Sequence, residues 1–122
     1  MREKVLIVLA NADCKDGVRL GTVMLQAITA AALEYEVEVI LTGVCSILAE
    51  PGVAERLKVP GETETTLYEL MHEAFDAGVL FNVNPVPMVP WSGEMISEVT
   101  EVVNDGYLIN QSLDEGAVVF TY

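Results

Sequence analysis

Two cysteines are the residues of this chain best suited to chemistry. Cys14 follows an apolar run at residues 5–9, and Cys45 follows a second apolar run at residues 37–43. If these runs form neighbouring strands, both thiols lie at the same edge of a sheet. Because the thiolate is the nucleophilic form of cysteine, the candidate catalytic residues are Cys45 and Cys14.

The surroundings of the two thiols have opposing effects on their ionisation. Cys45 precedes a predicted helix, whose free N–H groups and dipole favour the thiolate. Cys14 has Lys15 beside it but also Asp13 and Asp16, and the negative charge of the chain works against ionising either thiol. Since a free cysteine is more often a small buried hydrophobic residue, an inert interior position is the competing interpretation.

Other catalytic and metal-binding patterns are missing from the sequence. The one histidine, His72, shares a helical face with Tyr68, Glu69 and Asp76, and we interpret it as a solvated side chain without a catalytic role. Residues 11–17 hold a single glycine, so neither a phosphate-binding loop nor a cofactor is expected. The acids and thiols that follow the apolar runs have no histidine beside them, so no metal site is predicted.

Three elements around the thiols organise the chain. Residues 5–9 have the composition of a strand buried on both faces, and residues 37–43 are predicted to form a second apolar strand. Residues 19–35 between them are predicted to form a helix. Two strands joined by a helix make a βαβ unit, which requires parallel pairing and a right-handed crossover.

The rest of the chain is expected to extend this sheet. Apolar spacing and turn residues predict a short helix within residues 43–50, a helical turn at 53–57, a surface loop at 59–66, a helix at 67–75 capped by Thr66, a strand at 79–83, a proline-rich loop at 84–91, a helix at 93–104 capped by Ser92, a strand at 107–109, a turn or short helix at 111–116 and a last strand at 117–121. The predicted fold class is therefore α/β, a single domain of residues 1–122 with a mostly parallel five-stranded sheet.

Ligands of open α/β sheets bind beyond the carboxyl ends of the strands. The predicted strand ends select the loops 11–17, 43–46, 84–91 and 110–112. The side chains expected to contact a ligand there are Asn11, Asp13, Asn84, Met88 and Trp91. Met88 and Trp91 could form the floor of a small apolar pocket. Packing of their loop over the sheet edge or against another subunit is the alternative.

Charge and hydropathy limit the classes of partner. Nineteen acidic and six basic residues give a net charge of −13, and no basic residue follows Lys58. Since phosphate binding needs clustered basic residues, we expect neither nucleic acid nor a membrane as a partner.

No apolar stretch reaches the length of about 20 residues that spans a bilayer. The start lacks a signal-peptide layout, and two cysteines fit free thiols, so the expected location is cytoplasmic.

The helix predicted at residues 19–35 is apolar over more of its surface than one sheet can cover. Its polar side chains form a single narrow stripe of Arg19, Thr22, Gln26 and Thr29. A helix packed on a sheet normally exposes about half its surface to water. We therefore expect a subunit interface, and hence a homo-oligomer, to cover the extra apolar face. Coverage by a neighbouring helix of the same chain is the alternative.

In the order and spacing of these elements, the chain resembles the DsrE/DsrF-like sulfur-relay family over nearly its whole length. The resemblance rests on KVLIVL at residues 4–9, YEVEVILTGV at 35–44, LMHEAFDAGV at 70–79 and AVVFTY at 117–122. It implies a three-layer α/β/α fold with a five-stranded parallel sheet, assembled into trimers or hexamers. Active members of that family carry a persulfide on a cysteine shortly after the third strand, whereas residues 84–91 here contain no thiol.

Three functions remain open from the sequence. The first is a sulfur-relay homologue that acts as a partner subunit, with another sulfur-relay protein, and has no persulfide chemistry of its own. The second is a thiol carrier that uses Cys45 or Cys14. The third is a module that binds a small ligand through residues 85–91 beside Asn11 and Cys45. Because the three functions differ in whether the protein catalyses a reaction, the sequence leaves open whether it is an enzyme.

Overall fold

The computed structural model describes residues 3–61 and 63–122. Residues 1 and 2, on which the signal-peptide argument depends, and residue 62 of the predicted 59–66 loop lie outside the described residues. The elements along the chain are β1 (Lys4–Leu9), α1 (Gly17–Ala32), β2 (Glu36–Thr42), a 3-10 helix (Gly43–Ala49), α2 (Val53–Arg56), β3 (Lys58–Val59), β4 (Thr65–Thr66), α3 (Leu67–Asp76), β5 (Leu80–Asn84), β6 (Val99–Val102), α4 (Asp105–Ser112) and β7 (Ala117–Thr121).

Five strands form one sheet in the order β6-β5-β2-β1-β7, and every neighbouring pair is parallel. β1 lies between β2 and β7, so Val5 stands beside Val37 on one side and Val118 on the other. The predicted α/β class is confirmed, and β1 and β2 are neighbours as expected. The chain builds outward through β2, β5 and β6, and then returns to place β7 on the far side of β1.

Helices cover both faces of the sheet and complete a three-layer α/β/α arrangement. On one face, α1 and α3 contact each other over a large apolar core. Prominent members of that core are Leu9, Val39, Leu41 and Phe81 of the sheet and Leu20, Met24, Leu67 and Met71 of the helices. On the other face, α4 packs Tyr107 and Leu108 against Leu6, Val8 and Ile40. The apolar cluster on this second face is smaller, and buried polar side chains lie beside it.

A side-chain cap begins α1, and a left-handed backbone residue follows its end. Asp16 caps the first turn, where its carboxylate accepts a hydrogen bond from the Arg19 backbone N–H at 3.0 Å. The helix ends at Ala32, earlier than predicted, because Glu34 has a left-handed backbone with φ of 70°. The first βαβ unit therefore forms as predicted, with a thiol-bearing segment after each of its strands.

Thr66 begins α3 as predicted. Its hydroxyl accepts a hydrogen bond from the Glu69 backbone N–H at 3.2 Å. The Thr65 hydroxyl donates to the Glu69 carboxylate at 2.7 Å, which adds a second link across the first turn. The predicted 59–66 loop differs at its ends, where β3 and β4 pair as a short antiparallel ribbon.

The prediction is wrong between residues 92 and 112, where a helix and a strand exchange places. The helix predicted at 93–104 is a non-helical segment followed by the edge strand β6, and the strand predicted at 107–109 is helix α4. Ser92 caps no helix, and its backbone N–H donates to Glu50 Oε1 at 2.7 Å. The sheet still has five strands, but its fourth strand is a different segment from the predicted one.

Two local features explain this error. The valines of β6 fit a helical stripe, but they also have the β-branched composition of a strand, and spacing alone does not separate the two in a short run. Asn104 begins a helix, because its side chain accepts a hydrogen bond from the Tyr107 N–H at 2.9 Å. Asp105 follows in the first turn, where negative charge is favourable. Residues 110–112, predicted as a loop at a strand end, are the last turn of α4.

Candidate functional site

Cys45 is fully buried just beyond the carboxyl end of β2, within the 3-10 helix. Its Sγ donates a hydrogen bond to the Ala12 carbonyl at 3.2 Å, which links the segments that follow β1 and β2. Burial, and then the nearby Cys14, raise the pKa of the Cys45 thiol to about 11. The thiol is therefore protonated at neutral pH, and the N-terminus of the short helix does not overcome the effect of burial.

Cys14 lies partly exposed in the loop after β1, and it packs against the same core as Cys45. The two thiols are close enough for Cys14 to affect the ionisation of Cys45, as expected for neighbouring strands. Asn11 and Asp13 are exposed in the same loop, and Asp13 Oδ1 accepts the Lys15 backbone N–H at 2.9 Å. Of the two thiols, Cys14 is the one with access to solvent.

The other three residues predicted to contact a ligand do not line one pocket with the thiols. Asn84 is buried on the α4 side of the sheet, where its Nδ2 donates to Asp105 Oδ1 at 2.8 Å. Met88 is 80% exposed in the proline-rich loop. Trp91 is partly buried against the core on the opposite side of the sheet, and its indole N–H has no hydrogen-bond partner within the described residues. These side chains therefore face three different surroundings.

A crevice lies near the point where β1 and β7 end side by side. The direction of sheet growth reverses between these strands, and open α/β sheets bind ligands at such a point. The Tyr122 carbonyl accepts the N–H groups of Ala10 and Asn11 at 2.8 and 2.9 Å, which joins the two strand ends. The crevice has a volume of about 610 Å³ and is lined by Asp16, Val18, Arg19, Thr22 and Tyr122. The charges of Asp16 and Arg19 in this lining offset each other, so the crevice favours neither anionic nor cationic ligands.

A polar cluster that the sequence analysis missed joins α3 to the segment before β6. Glu98 is almost fully buried, and its Oε2 accepts hydrogen bonds from the Tyr68 hydroxyl at 2.7 Å and from His72 Nδ1 at 2.8 Å. The Ser97 hydroxyl donates to Glu98 Oε1 at 3.2 Å. His72 Nε2 lies 3.3 Å from Asp76 Oδ2. The His72 side chain is 52% exposed, so the predicted solvated histidine is solvated on one side only.

These contacts shift the pKa values in the directions that favour a charged pair. The hydrogen bond to Glu98, and then the charge of Asp76, raise the pKa of His72. Burial alone would raise the pKa of Glu98, but the hydrogen bonds from Tyr68 and His72 help to reverse this effect, and the pKa is lowered. A histidine that faces a carboxylate at both ring nitrogens is held as a donor. It is therefore poorly placed to act as a general base.

A second buried polar cluster links the sheet to α4. Glu38 Oε1 accepts a hydrogen bond from Lys4 Nζ at 2.8 Å, and Oε2 accepts from Asn82 Nδ2 at 2.9 Å and from the Tyr107 hydroxyl at 2.8 Å. The Lys4 ammonium also bonds the Gln111 side chain. Burial, and next the bond to Glu38, raise the pKa of Tyr107 to about 12. Because each carboxylate oxygen accepts at least one hydrogen bond from the protein, the cluster is a structural link between the sheet and α4.

An apolar groove of about 470 Å³ lies between α1 and the edge strand β7, and we call it the α1–β7 groove. Its lining contains no charged side chain and consists of Val5, Ile7, Thr22, Leu25, Gln26, Thr29, Ala30, Leu33, Tyr35 and Phe120. α3 packs beside α1 on the same face of the sheet, yet Leu25 remains 53% exposed in this groove. Most of the apolar excess predicted for the first helix is covered within the described chain, since Val23 and Met24 are buried and α3 packs against α1, as in the alternative of a neighbouring helix. The groove instead follows the predicted polar stripe of Thr22, Gln26 and Thr29, where Leu25 and Leu33 add exposed apolar surface.

Within residues 3–61 and 63–122, no group of three or more His, Cys, Asp and Glu side chains is arranged to hold a metal ion. Across the same residues, no helix combines the length and the apolar character needed to cross a membrane.

Comparison of the chain with known protein families and with curated proteins gives no match. The DsrE/DsrF-like resemblance therefore stays a prediction.

Proposed function

We propose that the protein is a cytoplasmic DsrE/DsrF-like sulfur-relay homologue that acts as a partner subunit and does not carry sulfur itself. The α/β/α fold agrees with the architecture that the resemblance implies, and residues 84–91 contain no thiol at the position where active members have one. The other subunits are copies of this chain, in a trimer or hexamer, or another sulfur-relay protein. Two unpaired cysteines agree with a reducing compartment.

The environment of the thiols supports a role without persulfide chemistry. A cysteine acquires sulfur most readily as an accessible thiolate, because the thiolate is the attacking species. Cys45 meets neither condition, since it is buried and its pKa is raised to about 11. Cys14 meets the condition of access, since its side chain is partly exposed. The structure therefore favours the partner-subunit function over a carrier at Cys45.

The α1–β7 groove is the observation that carries the proposal. A chain with a net charge of −13 repels its own copies and other acidic proteins, so close approach requires an uncharged surface. The groove is such a surface, with Leu25, Leu33 and Phe120 exposed along it. Neighbouring apolar side chains that stay exposed on a folded chain support an interaction site here. β7 is also an edge strand, and natural proteins commonly cover such edges.

A Leu25→Glu substitution tests this role, because Leu25 is exposed and its replacement leaves the apolar core intact. Light scattering of the wild type should give a multiple of the chain mass. The variant should give the mass of one chain, because the introduced carboxylate would be desolvated in an apolar interface. Circular dichroism should remain unchanged.

Leu113→Glu is the matched control, since it makes the same substitution at an exposed residue at the end of α4, on the opposite face of the sheet from α1. This control should keep the mass of the wild type. A wild type with the mass of a single chain, or a Leu25→Glu variant that keeps the wild-type mass, would contradict assembly of this chain with its own copies through the groove.

A thiol carrier at Cys14 is the second candidate. Its partial exposure in the loop after β1 favours it, because a sulfur donor could reach this thiol without unfolding the chain. Such a carrier would gain one sulfur atom from a persulfide donor, whereas the partner subunit would gain none. Intact-mass analysis therefore separates the two functions.

A further inference from the structure

Residues 85–98 connect β5 to β6 without a helix, and we call them the strap. The strap runs from the carboxyl end of β5 back to the start of β6, and hydrogen bonds hold it at several points. The Ser92 backbone N–H donates to Glu50 Oε1 at 2.7 Å, and the Ile96 backbone N–H donates to the Ala49 carbonyl at 2.8 Å. The third attachment is the contact of Glu98 with α3, which is the one that involves a titratable cation.

We propose that His72 and Glu98 form a proton-operated latch, which holds the strap on α3 while His72 is protonated and loosens it when His72 loses its proton. Histidine is the side chain whose ordinary titration falls between about pH 5 and pH 8. The His72 side chain is 52% exposed, so its proton exchanges with solvent while the strap is in place. Glu98 is almost fully buried, so its carboxylate depends on the donors around it.

The geometry of the ring makes the latch sensitive to a single proton. His72 Nδ1 faces Glu98 Oε2 at 2.8 Å, and Nε2 faces Asp76 Oδ2 at 3.3 Å. A protonated imidazole donates at both nitrogens, whereas a neutral imidazole donates at only one. Loss of the proton therefore turns a lone pair toward one of the two carboxylates and removes the positive charge opposite buried Glu98.

Among the residues that the structure describes, the side chains that face the latch from the neighbouring elements supply no second positive charge. Tyr68 and Asp76 face His72 from α3, Glu98 faces it from the strap, and Glu55 of α2 acts on Tyr68. Apart from His72, these residues are acidic or neutral. Removal of the His72 proton is therefore not compensated by a second cation in this cluster.

The direction of the pH dependence follows from the pKa shifts. Since the pKa of His72 is raised above 6.5, the stabilisation is complete below pH 6.5 and is lost as the pH rises through the raised value. Since the pKa of Glu98 is lowered below 4.5, its contribution is present above pH 4.5 and is lost as the pH falls through the lowered value. The latch is therefore closed in mildly acidic solution and open in alkaline solution.

The composition of the chain makes this proposal easy to test. Trp91 lies on the strap and is the only tryptophan, while His72 is the only histidine. Acrylamide quenching of Trp91 fluorescence should increase between about pH 5.5 and pH 9 with a midpoint above 6.5, the ordinary histidine value. The NMR titration of the single imidazole should give the same midpoint. Quenching that does not change while the imidazole titrates would overturn the proposal.

Two exposed substitutions identify the group that is responsible. His72→Gln keeps a donor for Glu98 but cannot titrate, so its quenching should not depend on pH over this range. Asp76→Asn removes one carboxylate, so the quenching midpoint and the imidazole midpoint should both fall, and by the same amount. A wild-type pH profile in His72→Gln, or midpoints that separate in Asp76→Asn, would assign the change to another group and exclude the latch.

Discussion

Burial decides the difference between the two thiols at the scale of single residues. Both follow central strands of the sheet, as the sequence predicts, but their exposure could not be obtained from spacing. Cys45 lies beneath the segment that follows β1 and donates to the Ala12 carbonyl, whereas Cys14 remains partly exposed. Reactivity is therefore expected to differ between two cysteines at the same edge of the sheet.

Intact-mass analysis should show this difference directly. At about pH 8.5, near the ordinary thiol pKa, iodoacetamide should modify Cys14 and leave Cys45 unmodified until the chain is unfolded. Incubation with a persulfide donor should add no sulfur to the wild type. A gain of one sulfur atom that disappears in Cys14→Ser but remains in Cys45→Ser would replace the partner-subunit function with a carrier at Cys14.

The buried Glu38 should stabilise the fold through the groups that it joins. Glu38→Gln keeps the shape of the side chain but removes the negative charge opposite Lys4. We expect the free energy of unfolding, measured with urea, to fall by about 1–3 kcal/mol. Glu36→Gln is the matched control on the same strand, and as an exposed substitution it should change stability by less than about 0.5 kcal/mol. Equal effects at both positions would contradict a structural role for the Glu38 cluster.

Glu38 and Glu98 show what sequence patterns cannot supply at this scale. A glutamate within the apolar run of β2 is unusual, and it was the available signal for a buried carboxylate. Its partner Tyr107 comes from an element that was predicted as a strand, so the pairing could not be foreseen. Glu98 was placed on a predicted helix, and its contact with His72 depends on where the strap ends.

At the scale of elements, long apolar runs and clear caps predicted the structure well. β1, α1, β2, α3, β5 and β7 all appear near their predicted positions. In each of them, apolar spacing and a local start or stop signal agree. Residues 92–112 differ because the local signals there are ambiguous, and pairing of β6 with β5 decides between helix and strand. That pairing is a tertiary contact, which spacing along the chain does not contain.

The exchange of helix and strand gives Asn104 a measurable role. Asn104→Ala should lower the free energy of unfolding by about 1 kcal/mol, because the first turn of α4 loses a capping hydrogen bond. Asn110→Ala, at an exposed position within the same helix, should be neutral or stabilising by a few tenths of a kcal/mol. Urea unfolding of both variants checks this expectation. A larger loss for Asn110→Ala than for Asn104→Ala would contradict the position of the helix start.

At the scale of the whole molecule, the strong negative charge and the uncharged groove have to be considered together. The apolar excess of the first helix could be predicted from the sequence, and so could the imbalance of charge. The position of β7 beside β1 could not, because it depends on the return of the chain across the sheet. That return places Phe120 next to α1 and forms the groove.

The mass of the wild-type protein in solution, measured by light scattering at low salt and at about 1 M salt, tests the central claim most directly. At about 1 M the Debye length falls to about 3 Å, so repulsion between chains of charge −13 is screened while apolar contacts remain. Self-assembly through the groove predicts a multiple of the chain mass that persists or increases at high salt. The mass of a single chain at both salt concentrations, or dissociation when salt is added, would contradict it.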